Sequence, residues 1–199
     1  MLGFGPDEIN SVAAVFRDIC VIEIDDGIAF ESRSVKAAEI RKEAGYGGVR
    51  VELRATLDGA KLSLQIDIGF GDVVTPAPET VSYPVLLDDL PAPVLRAYPK
   101  YTVVSEKFQA LCVLGMANSR MKDYFDLWML LHDRNLDDVE LVRAIQATFT
   151  RRRTALPEGV PAGLSDAFAT DAGKLTQWRA FVTKNKLNPI ALDELVRFS

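Results

Sequence analysis

Apolar positions along this chain change their spacing several times, and each change marks a different kind of element. Ile9, Val12, Ala13, Phe16 and Ile19 recur at helical spacing behind Pro6, a residue suited to a first helical turn. Val21–Ile24 and Ile28–Phe30 then flank Asp25-Asp26-Gly27, which predicts a short hairpin. A stronger hairpin signal opens at Gly47-Gly48. Val49, Val51, Leu53, Ala55 and Leu57 alternate with Arg50, Glu52, Arg54 and Thr56. After Asp58-Gly59, Leu62, Leu64, Ile66, Ile68 and Phe70 alternate with Lys61, Ser63, Gln65 and Asp67. Two period-2 runs joined by Asp-Gly predict an antiparallel pair with one buried face.

Residues 71–99 carry six of the ten prolines, at positions 76, 78, 84, 91, 93 and 99. Such density excludes a central strand or a long helix and predicts an extended connector with one short edge strand. From Val103 the period is helical. Val104, Phe108 and Leu111 mark one helix, and Tyr124 to Leu131 a second with almost no polar face. Val139, Val142, Ile145 and Phe149 mark a third, Trp178 and Phe181 a fourth, and Leu192, Leu195 and Val196 a last one. The predicted organisation is an α+β region over residues 1–100 and a helical region over 101–199.

Ions interrupt these apolar stripes. Lys107 falls in the stripe of Val104 and Leu111, while Asp123 and Asp126 sit in the most apolar helix of the chain. A buried carboxylate without a partner costs several kcal/mol, so these groups must be paired, metal-bound or protonated. Asp123 and Asp126, three residues apart, share one side of the helix, and the pattern predicts Lys107 within ion-pair reach of one of them. Arg120 and Lys122 are close enough to neutralise them, with a purely structural ion-pair cluster as the alternative. Lys107 suits a phosphate as a point charge, with a snorkelling side chain as the bland alternative. Asp67, on the polar face of its strand, suits Mg²⁺ if other carboxylates join it, and otherwise a solvated sheet face. Gly69 and Gly71 fit either close ligand approach or a bulge. Arg151-Arg152-Arg153 reads mainly as a solvated helix end, with an RNA phosphate contact as the less favoured alternative. Tyr46-Gly47-Gly48 is a weak turn signal, and no Walker A, Gly-x-Gly-x-x-Gly or Gly-x-Ser-x-Gly pattern occurs.

Composition narrows the classes. Twenty-three basic against 28 acidic residues give a net charge of −5, which argues against nucleic-acid binding by overall charge but leaves room for a local basic groove. Cys20 and Cys112 lack metal or redox spacing and read as free thiols. His132 is the only histidine, which excludes a multi-histidine zinc site and disfavours a Ser-His-Asp triad. No run reaches the ~18 apolar residues of a membrane span, and a cytoplasmic protein is expected.

Three ordered segments, Leu64–Gly69, Val104–Ala110 and Ser119–Leu127, resemble the AbiEii-type nucleotidyltransferase toxins of phage-defence and toxin–antitoxin operons. The resemblance runs from the first residues to at least Leu131. It implies a polymerase-β-like nucleotidyltransferase sheet followed by helices. It also implies that Asp67 is the strand acid, a metal ligand or base, and Lys107 the helical lysine that meets a nucleoside triphosphate. Arg120, Lys122, Asp123 and Asp126 would form the Arg-x-Lys-Asp-x-x-Asp helix, the first two binding nucleotide and the carboxylates orienting the lysine or the acceptor. Mg²⁺, a nucleoside triphosphate, an RNA acceptor and a cognate antitoxin follow as implied cofactors and partners. The family's first motif, a glycine-small pair followed by Asp-x-Asp, has no counterpart in residues 1–199, and Met1-Leu-Gly-Phe-Gly5 reads as a loop just past it. The expectation is an N-terminally truncated sheet with weak or no activity. The alternative is a non-catalytic remnant that binds a partner or self-associates across an exposed sheet edge.

Overall fold

A computed structural model describes residues 1–3, 5–40, 48–86, 90–132, 136–188 and 190–198. Phe4, Tyr46 and Gly47, singled out above, lie outside the described residues. The chain forms two compact units, Met1–Asp72 and Val73–Ser199.

In the first unit the alternating runs pair as expected. Strand β3 (Gly48–Leu57) and strand β4 (Ala60–Phe70) are antiparallel, with Leu57 opposite Ala60. Asp58 and Gly59 close the turn with φ of 47° and 80°, a left-handed pair that Asp-Gly tolerates. Helix α1 (Ile9–Cys20) lays Val12, Ala13 and Cys20 against Val49, Val51, Leu53 and Ile68 to form the core. Gly48 is needed where it stands, because a Cβ there would lie 2.8 Å from the Ile68 carbonyl oxygen.

Two expectations change here. Val21–Ile24 forms no strand, and its Val21, Ile22 and Ile24 side chains are exposed. Asp26 Oδ1 instead accepts the Ile28 N–H at 2.9 Å, turning the chain into strand β2 (Ile28–Ile40), whose partner is β3. The long β3 ladder offers far more hydrogen bonds than a three-residue hairpin could. The first residues are also not merely a loop. Strand β1 (Leu2–Gly3) runs parallel to β4, and the Gly69 N–H donates to the Met1 carbonyl at 2.9 Å. The sheet order is β1-β4-β3-β2.

The second unit begins with the proline-rich segment, which packs with the helices instead of ending a domain near residue 100. The Thr102 hydroxyl accepts the Thr75 N–H at 3.0 Å and donates to the Thr75 carbonyl at 2.8 Å. Two short strands form rather than one: β5 (Glu79–Ser82) and β6 (Val94–Ala97) pair antiparallel. Pro84, Pro91 and Pro93 fall outside the paired stretches, where no ladder N–H is needed. Helices α2 (Lys100–Leu114), α3 (Met121–Leu131), α4 (Asp138–Arg151), α5 (Asp166–Thr170), α6 (Ala172–Asn185) and α7 (Leu192–Phe198) follow. Asp137, Ser165 and Asp171 cap α4, α5 and α6 by accepting backbone N–H groups in their first turns. The core gathers Leu111, Tyr124, Leu127, Phe168, Trp178 and Leu195. Helix α3 is not buried on all sides: Met121, Tyr124 and Leu127 face inward, while Met129 is 52% exposed. Among the described residues no helix is long and apolar enough to cross a membrane.

Candidate functional site

Helix α2 delivers Lys107 to the flank of α3, where Asp123 and Asp126 emerge one turn apart. The Lys107 ammonium stands 2.6 Å from Asp123 Oδ1 and 2.8 Å from Asp126 Oδ2. Lys122, four residues before Asp126, bonds the same Asp126 oxygen from the solvent side. The three central side chains are only 14–20% exposed, so the charges are compensated where solvent reaches them poorly.

Electrostatics fix the charge states. Burial pushes the Lys107 ammonium down, but its hydrogen bonds to Asp123 and Asp126 outweigh this and raise its pKa above the ordinary lysine value. Burial pushes Asp126 up, yet Lys107 and Lys122 together draw it below the ordinary carboxylate value. At neutral pH the cluster therefore holds a persistent cation between carboxylates. An ammonium has three donors, and two of Lys107's are committed to Asp123 and Asp126. The third can meet an anionic oxygen.

Behind this cluster runs a polar network that the sequence did not reveal. Tyr98 Oη donates to Glu106 at 2.7 Å, and Arg152 donates to Gln109 at 2.9 Å while lying 3.6 Å from Glu106. Gln109 in turn donates to Thr154 at 2.8 Å. Arg152 thus departs from the solvated helix end expected of the arginine triplet; its side chain is 16% exposed. The one available signal was Gln109, a polar residue inside an apolar helix. At the start of α3 the fully buried Asn118 accepts the Arg120 N–H through its side chain at 2.9 Å, and its carbonyl accepts from Lys174 Nζ at 2.8 Å. The Arg120 guanidinium makes no ion pair among the described residues.

Asp67 belongs to the first unit. It stands opposite Arg50 on the sheet face turned away from α1, and the guanidinium grips both carboxylate oxygens at 2.7 and 2.9 Å. Its side chain is 48% exposed. Among the described residues no group of three or more metal-binding side chains comes together. With Arg50 on Asp67, and Lys107 and Lys122 on the α3 carboxylates, the described residues do not fit a Mg²⁺ shell, which needs several free oxygen donors.

Residues 1–197 match the family model described as nucleotidyl transferase AbiEii toxin, Type IV TA system, and the chain belongs to that family. The α+β architecture accords with it. No curated protein and no solved structure matches the chain.

Proposed function

We propose that this member of the AbiEii nucleotidyltransferase toxins transfers a nucleoside monophosphate from a triphosphate to an acceptor, and that the acceptor is an RNA end. In this reaction an acceptor hydroxyl oxygen attacks the α-phosphorus while its proton passes to a carboxylate or water, the bond to the β-phosphate oxygen breaks, and pyrophosphate leaves. Negative charge accumulates on the leaving pyrophosphate. A cation fixed in advance at that point stabilises the transition state more than the ground state.

Lys107 is the residue for this role, and its placement between Asp123 and Asp126 is the observation that carries the reading. Two carboxylates hold the ammonium in one orientation, leaving the remaining donor for a phosphate oxygen. Lys122, mostly exposed beside Asp126, adds a second positive charge at the rim. Asp67 enters only as the strand acid of the motif set, its role resting on the sequence match. With that carboxylate held by Arg50, residues 1–199 are proposed to transfer slowly on their own.

The test is transfer of label from α-³²P nucleoside triphosphates to small cellular RNA with Mg²⁺ supplied. A low but measurable signal, lost in Lys107→Ala with folding intact, supports the proposal. Equal transfer by wild type and Lys107→Ala sinks it.

A second reading has one observation in its favour. Strand β4 pairs with β1 only at Gly69 and Phe70, so Ala60–Ile66 have no ladder partner on that side among the described residues. An open strand edge is a template for self-association or for a partner such as an antitoxin. Light scattering over a range of concentrations would reveal a dimer through this edge, and Ser63→Pro, at an exposed position whose N–H faces the open side, would abolish it.

A further inference from the structure

We infer that the groove between the start of α3 and α6 seats the terminal nucleotide of a single-stranded RNA acceptor, its base against Phe181 and its phosphate on Arg120. This rests on the acceptor reading above and assigns it a place. The groove has a volume of about 620 Å³ and is open to solvent; Ser119, Arg120, Lys122 and Asp123 form one wall, Gln177 and Phe181 the other.

Charge is the first argument. Lys107, Lys122 and Arg120 face Asp123 and Asp126, an excess of one positive charge in a chain whose net charge is −5. Arg120 is exposed, and its guanidinium is the cation of this group with no ion pair among the described residues. One guanidinium suits the single phosphate of a strand end better than a triphosphate.

Rigidity is the second. Phe181 stacks on Trp178 at 5.5 Å and tilts against Phe125 at 6.2 Å, so the part of its ring that meets the groove is a fixed platform. Base–aromatic stacking of this kind serves single strands because every base has a π-face. Gln177 beside it carries both a donor and an acceptor for a base edge.

The third is a strut joining the two walls. Lys174, one turn before Trp178 on α6, is 8% exposed and donates to the Asn118 carbonyl at 2.8 Å, with the Phe168 ring 5.2 Å away. Asn118 in turn fixes the Arg120 backbone. Burying an ammonium without a carboxylate is costly. Here it ties the groove's two walls together, so the site is formed before a ligand arrives. Asp123 is both a groove residue and a partner of Lys107, which brings a seated strand end beside the proposed chemistry.

The experiment uses the full chain, without triphosphate, and follows anisotropy of a labelled single-stranded RNA of about twelve nucleotides, within the range of single-strand site sizes. Arg120→Gln, an exposed change, should weaken binding and make the slope of log affinity against log salt shallower by about 0.7, the loss of one phosphate contact on a single strand. Phe181→Leu, with its melting temperature recorded, should weaken binding by about tenfold while leaving the salt slope unchanged. No binding by wild type overturns the inference, as does equal binding by wild type and Arg120→Gln. A labelled triphosphate analogue that loses affinity in Arg120→Gln while RNA does not overturns the choice of strand over free nucleotide. Because no transfer is measured, RNA binding through Arg120 would stand even if Lys107 proved dispensable for chemistry, and the reverse also holds.

Discussion

Lys107 and Asp123 meet at 2.6 Å although sixteen residues separate them, so α2 and α3 are joined by a charge as well as by Leu111, Tyr124 and Leu127. Removing one member of a poorly solvated ion pair costs more than the pair contributes, because the other charge stays behind uncompensated. Lys107→Met leaves two neighbouring carboxylates facing each other. It should destabilise the fold by about 2–4 kcal/mol, partial exposure placing it at or below the range for buried pairs. Lys122→Ala, at a 71% exposed side chain, should change stability by less than about 0.5 kcal/mol. Urea denaturation of the two variants measures the contrast; comparable losses would mean that Lys107 is not the hub of the cluster.

The same cluster predicts how stability depends on pH. Asp126 has a folded-state pKa below its unfolded value, so its contribution is present above the unfolded carboxylate pKa and is lost as pH falls through the folded one. Lys107 has a raised pKa, so its contribution is complete below the unfolded lysine value and is lost as pH rises through the folded one. Stability should therefore decline below about pH 4 and again above about pH 10, from the reference values of the two groups. Asp126→Asn should flatten the acid limb, measured as the difference in unfolding free energy between neutral and acid pH. An acid limb as steep as the wild type's would assign it to other carboxylates.

Helix packing around Tyr124 allows a sharper test of geometry. A Cβ on Gly163 would lie 2.6 Å from the Leu111 carbonyl oxygen, and neither backbone can retreat without separating α2 from the 3₁₀ turn at Ala162–Leu164. Gly163→Ala should cost more than about 2 kcal/mol. Tyr124→Phe removes the Oη donor to the Gly163 carbonyl, at 2.9 Å, without adding an atom, and should cost about 1 kcal/mol. Thermal melts that ranked the two variants the other way would show that this contact is looser than described.

The parts of the fold visible in the sequence are those where one physical constraint dominates. Period-2 alternation across an Asp-Gly turn left no alternative to the β3–β4 hairpin. Buried charges on apolar helices likewise required a partner, and Lys107 with Asp123 and Asp126 supplied it. Strand β2 was visible only at Ile28–Phe30, because Ser32, Arg33, Ser34 and Lys36 spoil the alternation beyond it. Its register shifts between Glu31 and Lys36, where the Ser34 hydroxyl accepts the Arg54 N–H in place of a ladder bond. The β5–β6 pair was masked by prolines that sit beside its rungs instead of on them. Arg152, Asn118 and Lys174 gave no periodic signal, and Arg50 showed only as a polar position in the β3 alternation, with no hint of its partner. The partners of Arg50, Arg152 and Lys174 lie 17, 43 and 56 residues away, and only tertiary structure brings them together.

Asp67 offers a separation of chemistry from folding. It lies on the exposed face of β4, and its partner Arg50 is also solvent-accessible, so their ion pair is screened and adds little to stability. The β3–β4 register is set instead by Val49, Val51, Leu53 and Ile68 on the opposite face, which this pair does not touch. Asp67→Asn and Arg50→Met should each leave the melting temperature unchanged within error. Their effects on transfer should nevertheless diverge. If Asp67 takes part in the reaction, Asp67→Asn abolishes transfer, whereas Arg50→Met removes the guanidinium that grips the carboxylate and leaves transfer equal or faster. A stable Asp67→Asn that transfers as well as wild type would show that this carboxylate takes no part in the reaction.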